Sequence, residues 1–262
     1  MELTNFIKKM TRFGAFSGCI LGLMISSVQA ASCGGIFASD VTKEIEVKKA
    51  FHSLFVSGDA DVFIKQGNSA SLRIKAPKEV IEDLDIEVRQ GKLDISPDDC
   101  KKEYTVYITM KDIETLSFSG RSDVTGETEF KGKNIKVKGS GSTKMKLAVH
   151  SNSLEFDTSG SSYGELKVST EKFELDNSGT SDLILSGSAK LVKFDSSGRT
   201  DIEAFELIAQ EYQISSSGSC DLKIHVVEKL KVSASGSCDI EYKGQPRITN
   251  SSSGGGSLTA VE

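Results

Sequence analysis

The stretch Ser215–Ile224 reads SSSGSCDLKI, and eighteen residues further on Ser233–Tyr242 reads SASGSCDIEY. Both follow one order: Ser-Gly, two small residues, Asp, aliphatic. The same step appears as SGRSDV at Ser119, SGSTKM at Ser140, SGSSYG at Ser159, SGTSDL at Ser178 and SGRTDI at Ser197, and in degenerate form as SGGGSL at Ser253. The glycines Gly120, Gly141, Gly160, Gly179, Gly198, Gly218, Gly236 and Gly254 are therefore 21, 19, 19, 19, 20, 18 and 18 residues apart. A near-constant spacing of this size marks a structural repeat, not a bias towards Ser and Gly.

Between the glycines the apolar residues alternate. Leu230, Val232 and Ala234 lead into Gly236, and Cys238, Ile240 and Tyr242 follow it, a period of two that specifies strand. A unit of this length built from short strands, without an amphipathic helix, cannot bury its apolar face alone and must stack on copies of itself. The sequence therefore predicts an all-β fold, a right-handed parallel β-helix (β-solenoid) with coils of about 18–21 residues. Gly is expected at each corner because it adopts backbone conformations that other residues resist, with Ser bonding to nearby backbone.

Stacking converts each repeat position into a row along the solenoid, with neighbours about 4.8 Å apart. Ser122, Thr143, Ser162, Ser181, Thr200, Cys220, Cys238 and Gly256 form a row of small residues predicted to point inward. Parallel Cβ vectors about 5 Å apart suit stacked free thiols better than a relaxed disulfide, so Cys220 and Cys238 are expected to be unpaired. The next row, Asp123, Lys144, Tyr163, Asp182, Asp201, Asp221 and Asp239, is predicted to face out. Four consecutive acids invite a cation, but the tandem nonapeptide of calcium-binding rolls is missing, and Asp after a corner closes an Asx turn. No metal is expected there. Tyr163 beside Lys144 interrupts the acidic row, which makes Lys144, Tyr163, Asp182 and Asp201 the candidate ligand-binding residues; a lapse in the repeat accounts for Tyr163 as simply.

At the amino end Lys8, Lys9 and Arg12 precede the uncharged run FGAFSGCILGLMISSVQA, which closes on small residues at Val28 and Ala30. This order predicts a signal peptide over residues 1–30 cleaved after Ala30, followed by a linker at 31–43. Cys33, preceded by Ala30, Ala31 and Ser32, offers a lipoprotein alternative, although Ala30 stands where that motif usually has Leu. Cleavage would take the net charge from -5 to -7, a poor balance for nucleic-acid binding. It would leave Cys33, Cys100, Cys220 and Cys238 in a compartment that permits disulfides. The histidines His52, His150 and His225 lie far apart and no CxxC occurs, so zinc spacing is missing.

Residues 44–262 are expected to form a single solenoid domain, irregular over 44–118 and regular over 119–258. Gly120 follows Gly58 by 62 positions, room for about three coils with altered corners. APKEVIEDL is the one good helix start, with Pro77 leading a short helix at Lys78–Leu84 and the strands DIEVRQ and KLDIS after it. The ordered set FHSLFVSGDADVFIKQG, SLRIKAP, IEDLDIEVRQGKLDIS and the later SGxSD turns resembles the bacterial family of putative auto-transporter adhesins, head GIN domain, from about Val47 to Leu258. The resemblance implies an exported β-helical protein of adhesin type without an established ligand or enzymatic activity. A translocator barrel would need many alternating membrane strands beyond Glu262, so self-export is not expected.

The expected function is a non-enzymatic, exported envelope or cell-surface binding module whose partner is a glycan or a protein, with no cofactor, catalytic residue or nucleic-acid partner. Its place is the periplasm, the outer-membrane surface or the medium. Two alternatives stand beside it. A polysaccharide-processing β-helix enzyme would need carboxylates in unlike surroundings, and Asp182, Asp201, Asp221 and Asp239 have near-identical ones. A self-associating structural protein would need a bulky apolar coil edge, and SSSGGGSLTAVE offers little.

Overall fold

The Ser-Gly steps stack. Gly120 lies over Gly58, Gly141 over Gly120, and so on through Gly160, Gly179, Gly198, Gly218, Gly236 and Gly254, each so close to the backbone below that a side chain has no room. Two different constraints demand glycine along this column. Gly120 has φ +85, the left-handed region that side chains disfavour. Gly198 is outside that region, but a Cβ there would lie 1.9 Å from the carbonyl oxygen of Gly179. The corner conformation expected from the sequence therefore holds for the early coils, and close approach takes over in the later ones.

The computed structural model describes residues 39–98 and 103–262. Cys33, Cys100, the leader and most of the linker lie outside these residues. In chain order the elements are β1 (Val41–Ile45), β2 (Ser53–Gln66), β3 (Ser71–Ala76), α1 (Lys78–Asp83), β4 (Leu84–Arg89), β5 (Lys92–Pro97), β6 (Glu103–Met110), β7 (Thr115–Asn177), β8 (Thr180–Ser196), β9 (Arg199–Ser216), β10 (Ser219–Ala234), β11 (Ser237–Lys243), β12 (Arg247–Asn250) and β13 (Leu258–Ala260). β7 runs through successive coils. From there on, β7, β8, β9, β10 and β11 pair in parallel and in sequence order, the β-solenoid read from the repeat.

The amino-terminal part differs from expectation. Residues 59–119 do not wind three further coils between Gly58 and Gly120, because β2 pairs directly with β7 and those two glycines are partners. The other edge of β2 is taken by β5 along its first half and β6 along its second. β2 is thus inserted between β6 and β7, and the connection passes its level where Glu114 N donates to the His52 carbonyl at 2.8 Å. β3 pairs antiparallel with β6, β1 antiparallel with β3, and β4 folds back on β5 as a hairpin. The predicted helix forms one residue shorter, with Val80 and Ile81 buried.

The core consists of apolar rows running along the axis. Leu54 faces Leu116, Val56 faces Phe118, and Leu175, Phe194, Ile214 and Val232 stack in register, as do Phe173, Val192, Tyr212 and Leu230. Burial holds the Tyr212 hydroxyl well above its ordinary pKa. The small-residue row points inward as predicted: Ser122, Thr143, Ser162, Ser181, Thr200, Cys220 and Cys238 are all buried. Gly256, in the last coil, is exposed instead.

Candidate functional site

The outward row is where the sequence placed it. Tyr163 partners Asp182, Asp182 partners Asp201, and Asp201 partners Asp221, which partners Asp239. Local pairs balance the charge: Lys144 Nζ lies 3.7 Å from Asp123, and Arg199 lies 3.5 Å from Asp201. The Tyr163 hydroxyl donates to Glu165 at 3.1 Å, and Lys146 reaches the same carboxylate at 2.7 Å. The hydrogen bond from Lys146 holds the Glu165 carboxyl below its usual range. Asp239 closes no local Asx turn. It accepts from Ser257 N at 2.8 Å and Ser257 Oγ at 2.6 Å, linking two coils. Lys144, Tyr163, Asp182 and Asp201 therefore share one side of the solenoid; Tyr163, Asp182 and Asp201 stand on an open face, whereas Lys144 borders a cleft of about 1040 Å³ lined also by Asp59, Asp61, Arg121 and Asp123.

Another concave surface lies beside the glycine corner. A groove of about 750 Å³ runs along the solenoid there. One wall carries Lys138, Asp157, Asp176, Asp195, Ser215, Ser233 and Ser251, and the other the serines of the Ser-Gly steps, from Ser140 to Ser253. Asp176 partners Asp195, Asp195 partners Ser215, and Ser215 partners Ser233, so the wall is a true column. Carboxylate oxygens of Glu155, Asp157 and Asp176 come within 4.8 Å of one another. Lys136 lies among them, ion-paired to Glu155 and 2.9 Å from Asp157, with Lys138 at 3.7 Å. Burial works against the charge on Lys136, yet bonds to Glu155 and Asp157 prevail and raise its pKa. Asp176 is raised too, through burial and then the nearby charges of Asp195, Asp157, Glu155 and Glu174.

The groove is legible in sequence once the residues before Ser-Gly are read as well as those after it: DTSG at Asp157, DNSG at Asp176, DSSG at Asp195, then SSSG, SASG and SSSG. Asp157 and Asp176 of this column converge with Glu155, which the pattern does not mark.

Between the two walls a second buried column points inward. Thr158 donates to Asn177 Oδ1 at 3.1 Å, Ser181 donates to the same oxygen at 2.8 Å, and Asn177 Nδ2 donates to Thr200 Oγ1 at 2.5 Å. Gly179 N donates to Asn177 Oδ1 at 3.1 Å, so at this corner Asn177 rather than Ser178 bonds to the backbone. Ser196 and Thr200 continue the chain of bonds at 2.9 Å. In the next coil the counterpart of Thr200 is Cys220. Cys220 is bonded to Cys238, and the Ser216 Oγ is left without a partner. The expected free thiols are thus corrected: the register brings these Cα atoms to 4.4 Å, nearer than the assumed strand spacing and within disulfide reach.

The family profile for putative auto-transporter adhesins, head GIN domain, matches residues 50–167 and 148–246. The chain belongs to this family. Among solved structures it is similar to a putative lipid binding protein from Parabacteroides distasonis (21% identity, TM-score 0.77) and a putative adhesin from Parabacteroides merdae (21%, 0.76), each covering 86% of this chain and 98% of its own. A putative adhesin from Bacteroides fragilis is 24% identical over 85% of this chain and 97% of its own, with a TM-score of 0.65. These likenesses show the fold. No curated protein matches the sequence. Among the described residues no helix is long and apolar enough to cross a membrane.

Proposed function

We propose that this member of the head GIN family is a non-enzymatic, exported binding module of the cell envelope or surface, adhesin-like in role. The observation that carries the reading is the uniform side of the solenoid. Coil after coil presents the same residue types in register, a surface suited to an extended partner rather than to one small substrate. Two findings accompany it: family and neighbours bear adhesin names, and the disulfide fits an oxidising compartment. Export itself is read from the leader, with Ala31 as the first mature residue. A lipidated Cys33 at the mature amino terminus would replace that with the lipoprotein route.

Attachment of a deletion strain to host-matrix proteins and glycans, compared with the complemented strain, tests the reading. Equal attachment by both strains would overturn it. An enzymatic alternative would centre on Asp176, whose raised carboxyl stands beside Asp157 in the groove. Release of reducing ends from polysaccharide by the wild-type protein, lost in Asp176→Asn, would favour that alternative.

A further inference from the structure

We propose that the Cys220–Cys238 disulfide is a site of thiol–disulfide exchange, opened by an exported dithiol whose thiolate attacks Cys238 while Ser216 stabilises the departing sulfur of Cys220. This chemistry lies inside the corner and is independent of what the surface binds.

The corner column shows what Ser216 lacks. Its in-register equivalents each have a partner four residues on: Ser181 donates to Asn177 Oδ1 at 2.8 Å, and the Ser196 and Thr200 hydroxyls share a bond of 2.9 Å. Register then sets Ser216 at the position of Ser196 and Cys220 at that of Thr200. Ser216 is 4% exposed, and among the described residues its Oγ has no partner. Buried polar groups are ordinarily satisfied, and a disulfide sulfur has no proton to give. A thiol at Cys220 restores the pairing of the preceding coil by donating to Ser216 Oγ. A thiolate there accepts from the same hydroxyl.

The two sulfurs are not equivalent. Cys238 has Ala234 where Cys220 has Ser216, so no hydroxyl stands ready for a thiolate at Cys238. Along the row the residue after Cys238 is Gly256, which brings no side chain over the sulfur. Residues 251–257 are exposed, and the Gly255 carbonyl accepts from Cys238 N at 3.0 Å. An exposed polar segment with few apolar contacts opens at low free-energy cost, and its opening uncovers Cys238. Cys220 lies one coil deeper, its backbone paired to β9 and β11. In row order, approach from the Gly256 side is opposite the leaving sulfur.

The exchange balances in two steps. The incoming thiolate bonds to Cys238 Sγ, the bond between the two sulfurs breaks, and its electron pair leaves on Cys220 Sγ, which accepts from Ser216 and then takes a proton from solvent. The second thiol of the reductant attacks the mixed disulfide, so the reductant departs oxidised and Cys238 is left a thiol. A stabilised thiolate leaves faster. The row holds neighbours without a covalent link at Thr143 and Ser162, so the reduced pair keeps its place while the tie between β10 and β11 is lost.

Glutathione treatment of the oxidised exported protein carrying Cys33→Ser and Cys100→Ser, followed by acid quench and peptide mass mapping, tests this. Glutathione is expected on Cys238, in at least about fivefold excess over Cys220. Reduction of Ser216→Ala by dithiothreitol should be at least about threefold slower than wild type, with an unchanged or higher melting temperature in the oxidised form. Ser216→Thr, the residue type the column holds at Thr158, should be reduced at the wild-type rate. Should Ser216→Ala melt lower than wild type, the position of glutathione decides alone. The inference fails if glutathione is found equally on Cys220, if a stably folded Ser216→Ala is reduced as fast as wild type, or if wild-type reduction proceeds only at the rate of global unfolding in urea.

Discussion

From Gly120 onward each coil lies on the one that precedes it in sequence, whereas residues 41–110 are assembled in an order the chain does not follow. In the regular part, partners such as Asp182 and Asp201 are one repeat apart. In the amino-terminal part, β2 finds β7 across 62 residues and lies between strands that both come later in the chain. The difference follows from what each region must do. A middle coil has a copy of itself on either side, but the first must close a sheet edge whose unpaired amides and carbonyls would recruit other strands. β1 and β3 do this by antiparallel pairing, which leaves no repeat signature.

The largest effect that tests this contrast is at the corner. Gly198→Ala forces a Cβ against backbone at 1.9 Å, whereas Gly67→Ala meets only the Thr109 methyl at 2.9 Å, a side chain that can turn away. Urea unfolding should show a loss of more than about 4 kcal/mol for the first, or no folded protein, and under about 1 kcal/mol for the second. Equal tolerance would mean that the coils are not tightly stacked.

Next comes the disulfide. Cys238→Ala or reduction should cost about 3 kcal/mol, the chain-entropy value for a loop of this size. Because a solenoid couples mainly to nearest neighbours, hydrogen exchange should rise around Ser219–Lys243 and stay unchanged in β2 and β6. Cys238→Lys should cost more, through a charge in a buried row, and Asp239→Asn far less. A rise in exchange spread over the whole molecule would show that the two regions unfold as one.

A smaller effect is expected from Asn177. In the first two levels of the column the equivalent positions, Val56 and Phe118, are apolar, so the column itself accepts hydrocarbon there. Asn177→Leu nevertheless removes the partner of Thr158, Ser181, Thr200 and Gly179, and a loss of about 2 kcal/mol by denaturant titration is expected. No loss would show that the network is dispensable and that either kind of coil can fill the position.

The smallest effect depends on pH. Asp176 has a raised pKa, so the fold favours its protonated form. That contribution is present below the ordinary Asp value and is lost as pH rises through the raised one. Asp176→Asn should therefore stabilise at pH 7, by less than about 1 kcal/mol after solvent screening, with the gain gone below about pH 4. Glu174 runs the other way. A hydrogen bond from Lys172, helped by Lys193, lowers its pKa, so its contribution is present at neutral pH and lost as the solution is acidified. Thermal melts of Asp176→Asn and Glu174→Gln from pH 3 to 7 should show slopes of opposite sign.

The period, the corner glycines and the facing of both rows were determined by the sequence alone, because in a stacked repeat each is a nearest-neighbour property written again in every coil. Ser122, Thr200 and Cys238 point inward, and Asp182 and Asp221 outward, through strand parity. The helix was legible because Pro77 and the acids after it are local signals. Tertiary structure alone decided the placement of β2 between β6 and β7, since a pairing across 62 residues leaves no periodic mark. It also decided the joining of Cys220 to Cys238, which turned on a Cα separation of 4.4 Å that no spacing along the chain reveals. The gathering of Glu155, Asp157 and Asp176 around Lys136 belongs with these. Its side chains come from coils laid together by the stack, and their burial and mutual charge exist only once those coils are in contact.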